Sequence, residues 1–123
     1  MLIIFCTNDL VFPSRAAAIA KQLESRMETA MSADAAVAKL QTTTEPTIVI
    51  LDLNSSAVQV NSIVPRLQGL KQPPKAIIAF GPHVHADKLK AAEAAGCNLV
   101  LTRGQFDSNM EAILRQFAEE IRS

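Results

Sequence analysis

The segment Thr47-Ile48-Val49-Ile50-Leu51-Asp52-Leu53 constrains this chain more than any other. It is a near-continuous β-branched and aliphatic run that admits one charge, close to its C-terminal end. A run apolar on both faces reads as a central parallel strand covered by helices on each side. Burying a carboxylate there is costly unless something binds it. The predicted place of Asp52 is therefore the strand's carboxyl edge, where open α/β sheets form their ligand crevice. Asp52 is the first candidate for chemistry, and the alternative is an acid that only caps the following loop.

The rest of the chain repeats the pattern. Apolar runs at Leu2–Cys6, Ala76–Phe80 and Leu99–Leu101 are separated by segments with helical spacing, the signature of a parallel sheet with crossover helices. A helix starting at Pro13 or Ser14 carries Ala16, Ile19, Ala20, Leu23 and Met27 as a core-facing stripe. Topology calls for a strand at Glu28–Met31, an edge strand, before a helix that begins near Ser32 with Ala35, Ala36, Val37 and Leu40. A third helix spans about Val60–Leu70, ended by Gly69 and Pro73-Pro74. An alanine-rich helix, Ala86–Ala95, stops at Gly96, where a left-handed cap is expected. The last helix is predicted to start at Ser108, which forms a capping-box pattern with Glu111 ahead of Ile113, Leu114, Phe117 and Ile121. Five βα units in 123 residues favour an open, flavodoxin-like, doubly wound five-stranded parallel sheet of order 2-1-3-4-5, with helices on both faces, over a barrel. One domain, 1–123, is expected.

Composition excludes several classes. Twelve Lys+Arg balance twelve Asp+Glu, and the basic residues are scattered, so neither a nucleic-acid nor a membrane-surface footprint is expected. With five Phe and no Trp or Tyr, base-stacking platforms are missing. Cys6 and Cys97 stand at no metal-ligand spacing and read as reduced core thiols of a cytoplasmic protein. Neither a signal peptide nor a membrane helix is read.

In such a sheet the crevice lies above the carboxyl ends of the first and third strands. The residues aimed there are Cys6, Thr7, Asn8 and Asp9, then Asp52 and Asn54, with Phe80-Gly81-Pro82 and Thr102-Arg103-Gly104 after the fourth and fifth strands. His83 and His85 are two apart, do not share a helix face and have no third ligand nearby, so loop histidines are the default over a metal site. The turn Thr7-Asn8-Asp9-Leu10-Val11 holds no glycine, which argues against a dinucleotide or flavin site of the usual kind.

At Ile50-Leu51-Asp52-Leu53 and at Ala94-Ala95-Gly96-Cys97-Asn98-Leu99-Val100-Leu101-Thr102-Arg103 the chain resembles the receiver domains of two-component response regulators, and the resemblance runs over its whole length. The resemblance implies that Asp52 stands where receivers accept a phosphoryl group from a histidine kinase. It also implies an acid pair holding Mg²⁺ at the positions of Cys6 and Thr7, a Ser or Thr at Gly81 and a Lys at Arg103. Only Asp52 keeps the family's residue, so the chain resembles a degenerate, or pseudo-, receiver. A carboxylate attacking a phosphoryl group needs a cation and aimed donors, and a hard cation held by one carboxylate and neutral groups binds weakly. Asp9 and Asp52 are weak candidates for metal ligands, and a loop Asp placed like Asp9 is more often a solvated turn or helix-entry residue. Arg103 is expected to pair with Asp52, either as a structural ion pair or as part of a phosphorylation site.

The function expected is that of a stand-alone receiver-like signalling domain without an attached output domain. It would be non-enzymatic, need no cofactor, and have Mg²⁺-dependent phosphoacceptance weak or lost. The expected partner is a protein, a histidine kinase or an output protein, met through the regions His83–Lys90 and Arg103–Met110; such faces also support homodimers. The competing reading is a small-ligand-binding protein or enzyme using the same crevice, with Asp52 as acid or base and Thr7 and Asn8 as orienting groups.

Overall fold

A computed structural model describes residues 1–122. Ten elements alternate strictly: β1 (Leu2–Cys6), α1 (Pro13–Gln22), β2 (Arg26–Ala30), α2 (Ala33–Gln41), β3 (Thr47–Asp52), α3 (Val60–Gln68), β4 (Ala76–Gly81), α4 (Ala86–Ala95), β5 (Leu99–Thr102) and α5 (Arg103–Arg122). All strand pairs are parallel, in the order β2-β1-β3-β4-β5. This is the flavodoxin-like arrangement expected from the sequence, and its switch point falls between β1 and β3.

The three central strands are buried at every residue, and their side chains alternate between two cores. Leu2, Ile4, Val49, Leu51 and Ile77 face α2, α3 and α4. Ile3, Phe5, Ile48, Ile50, Ile78 and Phe80 face α1 and α5. Apolar residues are therefore needed on both sides of each strand, which is why these runs are continuous rather than alternating. Four of the five phenylalanines gather in the second core beneath the sheet's carboxyl edge. Phe80 stacks on Phe106 with centroids 4.8 Å apart, Phe5 meets Phe80 edge-on at 5.8 Å, and Phe12 closes the group.

Local signals place most boundaries. Pro13 opens α1, the position where a missing N–H costs nothing. The Ser32 side chain caps α2 by accepting the Ala35 N–H. Gly96 ends α4 at φ +103°, in the left-handed region expected of it.

Three expectations are corrected. Met27 belongs to β2 and not to the α1 stripe, because the chain leaves the helix after Gln22. The edge strand begins at Arg26, two residues earlier than expected, because a strand pairing with five residues of β1 has to start opposite Leu2. The last helix starts at Arg103, so Ser108 lies inside it. The cap that does form is Thr102 with Gln105: the Thr102 hydroxyl accepts the Gln105 backbone N–H at 3.1 Å, and the Gln105 side-chain Oε1 accepts the Thr102 N–H at 3.0 Å. That is a complete capping box one turn and a half upstream of the Ser108 pattern, and it follows β5 with no intervening loop. Replacement of Thr102 by Ala is expected to cost about 1 kcal/mol in urea unfolding, the usual worth of an N-cap. Ser108→Ala should stay within about 0.5 kcal/mol, as for a surface position without a special role.

Candidate functional site

Asp52 ends β3 with only 4% of its surface exposed. Its carboxylate is held from two sides by neutral donors. The Thr7 hydroxyl donates to Oδ2 at 2.7 Å, short enough for a charge-assisted bond, and the Asn54 backbone N–H donates to Oδ1 at 3.0 Å. Thr7 is itself fully buried just beyond β1, where its backbone N–H bonds to Ala30 and its oxygen accepts the Asp9 N–H at 3.0 Å. The register that places β1 beside β3 thus brings Thr7 to Asp52, and the turn after β3 folds back so that its own amide meets the acid. Among the described residues every buried side-chain polar atom has a partner.

Cys6, one residue before Thr7, faces the other core and lies 3.9 Å from the Ser32 carbonyl. Burial, with the Asp52 charge as a smaller contribution, pushes its thiol up to about 11. Burial alone does the same for Cys97, also to about 11. Both are neutral thiols at physiological pH, so Cys6 brings no negative charge to the crevice.

The expected Asp52–Arg103 pair does not form. Arg103 opens α5 and turns toward the β1–α1 loop, where its guanidinium carbon sits 4.3 Å above the Phe12 ring centroid and Nη2 approaches Asp9 Oδ2 at 3.4 Å. The physical reason is desolvation: Asp52 is buried and already satisfied, whereas on Phe12 the guanidinium keeps much of its hydration and gains a cation–π contact. Asp9 is equally committed. Its Oδ1 accepts the Val11 and Phe12 N–H groups at 2.8 and 3.2 Å, which leads the chain into α1. Those two backbone bonds, assisted by Arg103, hold its carboxyl below the usual carboxylate range.

The remaining crevice residues frame the site without entering it. Asn8 is exposed, its amide nitrogen 3.4 Å from the Ser56 hydroxyl, and Asn54 contributes its backbone rather than its exposed side chain. Gly81 is the last residue of β4, and a Cβ there would lie 3.1 Å from the Leu53 Cβ. A Ser or Thr at this position is therefore opposed by packing, and no hydroxyl points at the crevice from β4. His83 is exposed and His85 stands at the N-cap of α4 without a side-chain capping bond.

The donor set does not fit Mg²⁺. One carboxylate faces the crevice, both of its oxygens are already bonded, and the neighbours that would add charge are a neutral thiol and a hydroxyl. Among the described residues no group of three or more His, Cys, Asp or Glu is placed to hold a metal ion. Beside the crevice a cavity of about 340 Å³ opens between the β3–α3 loop and α4, bordered by Asn54, Ser56, Gln59 and Lys88 but not by Asp52.

No protein-family model and no curated protein matches the sequence. Solved structures do. The receiver domain of a sensor histidine kinase from Pseudomonas aeruginosa, determined with magnesium in its active-site cleft, superposes with a TM-score of 0.77 at 15% identity, over 96% of this chain and 97% of that one. The receiver domain of NtrX from Brucella abortus gives 0.72 at 16% identity over 98% of both chains. The beryllofluoride-activated dimer of the NtrC4 receiver domain gives 0.77 at 16% identity, again over 98% of both. This chain has the receiver fold.

Within the receiver fold, Phe12 is the residue that sequence reasoning missed. Its signal was weak, an aromatic before a helix-starting proline, and its role depends on Arg103 arriving from the far end of the chain. Thr7 was expected at the crevice, and its bond to Asp52 follows only from the strand register. A double-mutant cycle in urea separates the two arrangements. Thr7→Val with Asp52→Asn should show a coupling of about 1–3 kcal/mol, whereas Asp52→Asn with Arg103→Gln should add to within about 0.5 kcal/mol.

Proposed function

We propose that this chain is a receiver-like signal-transduction domain that acts by binding a partner protein, with phosphoacceptance at Asp52 weak or lost. The observation that carries the reading is the burial of Asp52 with each carboxylate oxygen already bonded to a neutral donor. A phosphoryl acceptor needs a free carboxylate oxygen and a cation to offset the incoming charge. Here Thr7 occupies one oxygen, the Asn54 amide occupies the other, and Arg103 is engaged 3.4 Å from Asp9 and over Phe12.

The surface supports the binding half of the reading. Leu10, Val11, Met31 and Val84, the exposed large hydrophobics among the described residues, are 58–80% exposed, and all lie in loops at the sheet's carboxyl edge. Exposed apolar side chains gathered at one end of a molecule are a mark of protein contact. Val84 falls within the His83–Lys90 region expected from the sequence; Leu10, Val11 and Met31 extend the surface over the loops after β1 and β2. A histidine kinase, an output protein or a second copy would meet it, and the setting is cytoplasmic.

The competing reading, a small-ligand enzyme with Asp52 as acid or base, is disfavoured because Asp52 does not border the cavity beside it. No helix is long and apolar enough to cross a membrane among the described residues. In incubation with acetyl phosphate and Mg²⁺ followed by intact-mass measurement, the expected result is no Asp52-dependent gain of a phosphoryl group. Amide shifts near Thr7 and Asn54 should not saturate below about millimolar Mg²⁺, the range of weak oxygen-ligand sites. A stable phosphoryl adduct lost in Asp52→Asn would show that the chain is a working phosphoacceptor.

A further inference from the structure

The amino edge of the sheet, opposite Asp52, is built from the loops that lead into neighbouring strands. Residues 42–46 enter β3 and residues 69–75 enter β4, and because these strands pair, the loops lie side by side. The Lys75 N–H donates to the Thr47 carbonyl at 2.8 Å and ties them together. Prolines 46, 73 and 74 fix backbone torsions in both. Between them runs a groove of about 530 Å³, continuous with a smaller one of about 300 Å³ through shared walls at Leu40, Thr43, Thr44, Lys71 and Gln72. That volume is within the usual span of small-molecule sites, about 300–1,000 Å³.

The lining has a definite charge character. Glu45 is the one acid on the wall of the larger groove, and it is already paired with Arg26 at 2.8 Å. Lys71 and Lys75 have no ion-pair partner among the described residues. Thr43 uses its oxygen only as an acceptor, for the Glu45 N–H at 3.1 Å, which leaves its hydroxyl proton to donate. Two ammonium groups without an ion-pair partner stand beside threonine hydroxyls and the Gln72 amide, with Pro73 and Pro74 as an apolar wall and Glu45, already paired, as the one acid. Lysines acting as separate point charges suit a dianionic group with several acceptor oxygens better than a single flat carboxylate.

We propose that this groove is a second binding site, independent of Asp52, for a small phosphomonoester: Lys71 and Lys75 hold the phosphate, Thr43 and Thr44 donate to its oxygens, and the organic part lies along Pro73 and Pro74. The site stands whether or not the carboxyl edge accepts a phosphoryl group.

Titration of the ¹⁵N-labelled protein with phenyl phosphate tests it, with inorganic phosphate as a second arm to separate the anion from the apolar contribution. Saturable shifts are expected at Thr43, Thr44, Lys71, Gln72 and Lys75, with Kd below about 1 mM for phenyl phosphate and weaker for inorganic phosphate. Lys71→Ala with Lys75→Ala should weaken binding about tenfold or more, while Lys21→Ala, at an exposed lysine of α1, leaves it unchanged. Non-saturating shifts spread over exposed lysines, shifts centred on Thr7 and Asn54, or an affinity unchanged in the double variant would each overturn the proposal.

Discussion

The hydrogen bond from Thr7 to Asp52 sets the character of this molecule's carboxyl edge. An acid at the end of a central strand has to be satisfied, since an unpaired buried carboxylate costs several kcal/mol. Thr7 supplies that satisfaction from the neighbouring strand at 2.7 Å, and the turn after β3 supplies the rest through the Asn54 amide. Both donors are neutral and lie just beyond the strand ends, so neither brings a positive charge to the acid.

Arg103 is released by that arrangement to do something else. It lies over Phe12 and beside Asp9, joining the loop after β1 to the start of α5, while Arg15 and Asp107 make a second link between α1 and α5. The aromatic cluster of Phe5, Phe12, Phe80 and Phe106 lies under these contacts. Gly81 belongs to the same pattern, since its missing side chain lets Leu53 pack across the top of β4 where a hydroxyl would otherwise stand. Thr7, Gly81 and Arg103 thus have separate structural roles that fit together around one buried acid.

The order of elements was legible because this sheet is covered on both sides, and continuous apolar runs such as Ile48–Leu51 can have few other meanings. Asp52, Thr7 and Arg103 were likewise legible as crevice residues from their place at strand ends. Their pairing was not, because it depends on which partner each can reach without losing water, and that follows from three-dimensional burial rather than from spacing. Two capping-box patterns compete at α5, and the one at Thr102 forms because it closes directly on the last strand. The exposed Leu10 and Val11 carry neither helical nor strand periodicity, so their meaning had to wait for the loop to be placed.

In the proposed reading, Asp52 belongs to a network of protein hydrogen bonds rather than to a metal and phosphoryl site. A crystal structure determined in high Mg²⁺ with beryllofluoride, which mimics a phosphoryl group on a carboxylate, tests it most directly. The expected structure keeps Thr7 Oγ1 within hydrogen-bond distance of Asp52 Oδ2 and Arg103 over Phe12, with no beryllium on the acid. Thr7 turned away, with a cation between Asp9 and Asp52 and beryllofluoride on Oδ2, would contradict it.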